Sequence, residues 1–326
     1  MKRFTGIAIA VCMSASGAFG RPSAPTLQST YDGLAPGGRA IAMGLAATAV
    51  ADDSSAIYFN PAGLALLGGN SIGLTYEAAR QSSLTYDQIL SGEALQHESL
   101  VCVSLTGPKG SFAWRPLSDV RTRTVNGADW EDNEVKVSAY TFSVSHEHNS
   151  HMYSGLNLHY LSGLIGQSKV TGNVPYANIS SGYGFAADFG MLFVVAPEFR
   201  LGVTLQNLGG FMWWDDYETD LLPLTVRGGF AFQIAKFTTF ASDVSRRYYR
   251  ISGQETTTHF GFEQILGLLQ LRAGVFGTDL NDQNTTHLSA GFGYEMNKYR
   301  LSLSGEKYRL NLEDVYRYVF SIDLPI

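Results

Sequence analysis

Two adjacent tryptophans in Phe211-Met212-Trp213-Trp214-Asp215-Asp216-Tyr217 gather aromatic rings and a thioether, the side chains that hold an acyl chain or an apolar ring by excluding water. On an outward loop the same residues would equally form an aromatic girdle at the level of lipid headgroups. Tyr248-Tyr249, flanked by Arg246, Arg247 and Arg250, carries two readings as well: headgroup anchoring, or capture of a carboxylate or a lipopolysaccharide phosphate. Three further arginines, Arg200, Arg227 and Arg272, present guanidinium forks that match a ligand carboxylate or an acidic neighbour. Acidic neighbours are at hand, because the pattern sets Arg227 beside Asp243 and Glu263 beside Arg272. They belong to a larger polar set of Asn157, His159, Asp188, His259, Glu295, Arg300, Glu306 and Arg317. Buried charges must be paired, so a bracing network is the first expectation for these residues and ligand binding the second.

Other chemistries find little support. His146-Glu147-His148 with His151 is a group of metal-ligating types, but it brackets an expected short turn, where solvated side chains are ordinary. No metal or cofactor is expected. No nucleophile-elbow sequence is present to seat a catalytic serine, and enzymatic activity is not expected. A formal net charge of −6 argues against nucleic acid as a partner.

The elements that position these residues alternate with period two. From Tyr183 to Val195 the odd positions are apolar, including Phe185, Phe189 and Phe193, while the even ones include Gly184, Asp188 and Gly190. The pattern recurs with Leu201, Val203 and Leu205 against Arg200, Gly202 and Thr204, and with Tyr318, Phe320 and Ile322 against Arg317, Ser321 and Asp323. Strand side chains point to opposite faces in turn, so each segment has one face fit for lipid. About fourteen such segments follow Ser71, which makes the expected fold all-β, a transmembrane antiparallel barrel. Charged residues are only 16% of the chain against about 25% in soluble domains.

Connections are expected to alternate in length, with short turns such as His148-Asn149-Ser150 and Ala196-Pro197 and long loops at Asp119–Asn133, Gly166–Ser181 and Gly209–Leu221. Pro116 falls inside the expected third strand, where its missing N–H should produce a kink or bulge. Such a defect is a candidate lateral exit through the wall; the alternative is that the strand ends there.

The amino terminus reads as a signal peptide over residues 1–20, with Lys2 and Arg3, an apolar run from Ile7 and small residues through Gly20. Residues 21–70 do not alternate and read as a plug, leaving 71–326 for the barrel. Within the plug, Asp52, Asp53 or Ser54 is expected to cap a short helix carrying Ala56, Ile57 and Phe59, which Pro61 terminates.

The ordered set Gly37, Arg39, Met43, Gly44, then Ala51, Asp52, Asp53, Ala56, Tyr58, Asn60, Pro61, Ala62, Gly63 and Leu64 resembles the N-terminal hatch of the FadL-type superfamily of outer-membrane barrels, whose relatives include PorV/PorQ-like proteins. The resemblance covers the hatch closely and the barrel only in architecture. It departs at Leu45, where a second small residue is expected, and at the C-terminus, which runs past Phe320 to Leu324-Pro325-Ile326 instead of ending on an aromatic residue. It implies passive passage of a long-chain fatty acid or another hydrophobic small molecule, gated by Arg39, Asp52, Asp53, Tyr58, Asn60, Pro61 and Gly63. Outer-membrane lipid and the barrel-assembly machinery are the implied partners. The PorV/PorQ side of the superfamily implies the alternative, a barrel that binds or hands over secreted proteins.

Overall fold

A computed structural model describes residues 35–81, 97–126, 128–249, 253–297, 299–310 and 313–326. The expected signal peptide, the first part of the hatch, the weak segment Ser82–Leu90 and Arg250 lie outside the described residues.

Alternating sequence becomes a closed wall. Fourteen strands pair antiparallel with their chain neighbours, and β1 (Ser71–Gln81) closes the ring against β15 (Glu313–Pro325). The others are β2 (His97–Thr106), β3 (Gly110–Asn126), β4 (Asp129–Asn149), β5 (Met152–Thr171), β6 (Val174–Ala196), β7 (Phe199–Trp214), β9 (Leu224–Ala235), β10 (Thr238–Tyr249), β11 (Gly253–Leu266), β12 (Leu269–Gly277), β13 (Thr286–Met296) and β14 (Tyr299–Leu310). A two-residue strand, β8 (Asp220–Leu221), adds only to the end of β7. Closure pairs every strand on both sides, which removes the exposed edges a membrane would not tolerate. Along β5, Leu156, Leu158 and Tyr160 point outward at 39%, 56% and 43% exposure, while Asn157 and His159 between them are buried toward the lumen. An outer face of this kind, carried around a closed ring, is that of an outer-membrane β-barrel.

The expected long loops at Asp119–Asn133 and Gly166–Ser181 are instead strand. β3 and β4 stay paired to Asn126↔Asp129, and β5 and β6 to Thr171↔Val174. The second hairpin turns on Gly172 and Asn173 with φ of 57° and 68°, the left-handed pair that matches the twist of a two-residue β-turn. These extensions carry polar residues on both faces among scattered apolar ones such as Val125, Val174 and Ile179, so no one-sided pattern in their sequence marks them as wall. β4, β5 and β6 reach 21, 20 and 23 residues against 9 for β12, and one side of the rim therefore rises well above the other.

The hatch fills the lumen. Helix α1 (Gly38–Ala42), helix α2 (Ala56–Phe59) and a 3-10 helix (Pro61–Leu66) bury Ile41, Met43, Phe59 and Leu64 completely or nearly so. None of Asp52, Asp53 and Ser54 caps α2 through a side chain. Asp53 accepts from the Ser55 amide at 2.9 Å, and Asp52 is taken up by ion pairs. Pro61 does not merely end α2. It opens the 3-10 helix, where its fixed φ and missing N–H are at home, behind Asn60, whose Oδ1 accepts from Ala62 N at 3.1 Å.

Candidate functional site

The hatch is seated where the barrel's inner face is bare backbone. A Cβ on Gly190 would lie 2.8 Å from Pro61, one on Gly202 2.3 Å from the Thr48 carbonyl, and one on Gly274 2.0 Å from the Gly44 nitrogen. Even-numbered glycines of β6 and β7, legible in sequence only as non-lipid positions, thus form the bed of the plug. Asn60 locks it there: its buried Nδ2 donates to Thr48 O at 2.9 Å and to Met191 O on the wall at 3.0 Å. Leu45, the departure from the hatch pattern, takes a left-handed φ of 61° and turns its carbonyl to the Arg227 guanidinium.

Charges hold the plug from the short-turn end. Arg39 grips Glu263 with two N–H bonds of 2.9 Å and reaches Asp52 at 2.5 Å and Asp53 at 3.6 Å. Arg200 meets the other Asp52 oxygen at 3.0 Å, and Arg300 donates to the Asp52 carbonyl at 2.9 Å. Both expected lumen pairs form, Arg272 with Glu263 at 2.7 Å and Arg227 with Asp243 at 3.2 Å. Asp243 also accepts from the hatch amides of Ala47 and Thr48 at 3.0 and 2.9 Å.

The plug separates two cavities. One of about 200 Å³ on the short-turn side is lined by Arg39, Asp52, Glu263, Arg272 and Arg300; the other, about 310 Å³, faces the tall rim and is lined by Tyr58, Phe59, Arg227, Arg247, His259, His287, Glu306 and Arg317. In the larger one, His259, Phe276, His287 and Tyr308 stack ring on ring at centroid separations of 5.4, 4.4 and 4.8 Å. The His259 ring also hydrogen-bonds to Gly44 O of the hatch at 3.0 Å.

The aromatic run is not on a loop. Phe211 to Trp214 are the last turnings of β7, so their side chains part to opposite faces. Phe211 and Trp213 pack together on the outside, with ring centroids 4.2 Å apart, and Trp213 reaches Tyr183 at 5.4 Å. Met212 and Trp214 are buried inside the tall wall, and Tyr217 and Leu222 from the following connection join them in an apolar cluster with Leu117, Val137, Leu161 and Ile165. Trp213→Ser is expected to remove two outer aromatic pairs, each worth about 0.5–1.5 kcal/mol, and to leave the heat-modifiable electrophoretic band of the folded barrel in place.

The third strand bulges at Pro116: its register with β4 slips between Pro116 and Ser118. The opposite seam of that strand is the weakest in the ring, because β2 and β3 share only Val103↔Trp114, Ser104↔Ala113 and Leu105↔Phe112. Beyond Trp114 the two strands part. Sequence reading marked the proline but not the split, since pairing length is set by both strands at once. It also passed over Arg115, whose guanidinium lies 4.6 Å above the Tyr58 ring of the hatch. Around the short turn, His148 bonds to Ser154 and His151 to Ser150, and among the described residues no three metal-ligating side chains converge.

A closed fourteen-stranded barrel with a hatch of short N-terminal helices is the architecture of the FadL/TodX-like outer-membrane barrels, and by structure this chain has that fold. It is similar to the CymD monoaromatic hydrocarbon channel at a TM-score of 0.63 and 14% identity, over 89% of this chain and 97% of that one. It is similar to the Pseudomonas putida toluene transporter TodX at 0.63 and 15%, over 90% and 98%, and to a Pseudomonas aeruginosa FadL homologue at 0.61 and 10%, over 88% and 97%. No family model matches the sequence, and no curated protein matches it significantly.

Proposed function

We propose that the protein is a passive channel for hydrophobic small molecules, long-chain fatty acids among them, in which the hatch is the gate and the seam between β2 and β3 the lateral exit. The split beside Pro116 carries this reading, because a closed barrel otherwise gives an apolar solute no way out except through polar water. The names of the similar solved proteins, two hydrocarbon channels and a FadL homologue, point the same way. Ligand enters from the tall rim, meets the inner apolar cluster with Met212, Trp214 and Tyr217, and reaches the larger cavity beside Arg227. Arg200 and Arg272, each bound to a carboxylate, brace the hatch.

Binding of a fluorescent long-chain fatty acid to the refolded barrel, with competition by oleate, tests the reading. Saturable, competed binding supports it. Absence of binding to a folded sample favours a barrel that holds secreted proteins, for which the exposed Val174, Tyr176 and Ile179 on the tall wall would be the contact surface. Pro116→Val gives residue 116 an N–H and is expected to slow hydrophobic flux severalfold in proteoliposomes; unchanged flux would move the exit elsewhere.

A further inference from the structure

The ion pairs that seat the hatch face the lumen. Lys307 and Arg309 face the other way. The outward side of β14 runs up from the short-turn end as Leu301, Leu303, Gly305, Lys307 and Arg309. Its neighbours across the ladder keep step: Leu303 stands opposite Phe320, Gly305 opposite Tyr318, Lys307 between Leu288 and Tyr316, and Arg309 opposite Asp314. Leu303, Phe320, Tyr318 and Leu288 are exposed, as a lipid-facing surface requires. Within one strand the face thus passes from aliphatic side chains, through a belt of two tyrosines, to two cations. That is the order in which hydrocarbon gives way to headgroups.

The two cations share one carboxylate. Lys307 Nζ lies 2.7 Å from one Asp314 oxygen and Arg309 Nε 3.2 Å from the other, and among the described residues the Nη groups of Arg309 make no hydrogen bond. Locking β14 to β15 would need one cation; the second leaves a surplus positive charge. Both side chains stay open to the outside, Lys307 at 45% exposure and Arg309 at 39%. With Asp314 they line an open pocket of about 230 Å³, whose other side is formed by Gln283, Thr286 and Leu288. This is room for a phosphate and the sugar ring that carries it, with an apolar wall at Leu288 and amide and hydroxyl donors at Gln283 and Thr286.

We propose that Lys307 and Arg309 form a site on the outside of the barrel for the phosphate of an outer-leaflet glycolipid, with its sugar in the pocket and its acyl chains over Leu303 and Phe320. The site depends on outer-membrane placement alone and is independent of what passes through the lumen. An ammonium and a guanidinium offer several charge-assisted donors to one phosphate, and Asp314 holds them side by side to do so. Asp314 also repels the phosphate, so it keeps the affinity below what the two cations alone would give.

The test uses the full-length barrel in a neutral detergent, with bound lipid counted by native mass spectrometry after exposure to lipid A, to lipid A stripped of its phosphates, or to phosphatidylglycerol. Lipid A is expected to be retained about tenfold better than the stripped lipid, in keeping with charge-assisted hydrogen bonds. Lys307→Gln/Arg309→Gln should erase that advantage. Lys236→Gln, which removes a charge from the short turn between β9 and β10 at the other end of the barrel, should leave it intact. Asp314→Asn should raise lipid A retention severalfold, which a purely structural ion pair would not do. The heat-modifiable band reports folding; should the double variant lose it, Asp314→Asn and the comparison of lipids on the unaltered protein decide. Equal retention of the stripped lipid, or unchanged retention in a folded Lys307→Gln/Arg309→Gln variant, overturns the phosphate site. Phosphatidylglycerol held as well as lipid A overturns the glycolipid as occupant. Displacement of lipid A by inorganic phosphate would mean a site for the free anion and overturns the lipid as its source.

Discussion

Gly63→Val is expected to leave the barrel folded and to open it. A Cβ at residue 63 would lie 1.8 Å from the Ala51 carbonyl oxygen and 2.8 Å from its carbonyl carbon, far inside contact distance and against backbone. No rotamer relieves that overlap, so the 3-10 helix must leave its seat. Asn60 then loses its bonds to Thr48 and to Met191 on the wall, each buried partner costing about 1–3 kcal/mol when left unsatisfied. The wall does not depend on this contact, because its ladders run strand to strand around the ring. Hydrophobic probe entry into proteoliposomes should therefore rise, while the heat-modifiable band persists. Asn60-Pro61→Ala-Ala should act in the same direction with a smaller effect, since it removes the amide lock without forcing a clash. Permeability equal to that of the unaltered protein in both variants would remove the hatch from the pathway.

The wall was legible in the sequence because lipid imposes a one-sided rule on every strand it touches. Leu288, Phe292, Tyr318 and Phe320 all emerge on the exposed face where the alternation set them. Where lipid no longer applies, the rule goes silent: the upper parts of β3 to β6 carry polar residues on both faces and read as loops. The Trp213-Trp214 pair shows a related limit. Two large rings in a row suggest one greasy patch, yet in a strand consecutive side chains must diverge, and one lies outside while the other is buried.

The charges divide along similar lines. Arg227 with Asp243 and Arg272 with Glu263 were legible because adjacent strands set the first pair diagonally and the second directly opposite. Arg39 was visible as part of the hatch, but its two-handed grip on Glu263 joins residues 224 positions apart and depends on where the plug sits in the lumen. The seam between β2 and β3 depends likewise on a relation between two strands. Pro116 marked one side of it and no residue of β2 marked the other.

Arg39→Met is expected to release the hatch from the short-turn end. The substitution keeps most of the apolar stem and removes the cation that joins Glu263, Asp52 and Asp53. Glu263 keeps Arg272 and Asp52 keeps Arg200, so the loss falls at or below the roughly 3–5 kcal/mol typical of breaking a buried pair. The change also carries a pH signature. Burial alone would raise the Asp52 pKa, but the Arg39 and Arg200 guanidinium groups outweigh it and hold the carboxyl at about 2 against its ordinary 3.8. A pKa depressed by folding gives a contribution that is whole above 3.8 and lost as pH falls through about 2, so hatch closure in the unaltered protein should persist well into acid. Without Arg39 the burial effect is opposed by Arg200 with only distant help from Arg300, and the acid-induced rise in probe permeability should move to higher pH. A profile that does not move when Arg39 is replaced would mean that the Asp52 pairs are not what keeps the plug in place.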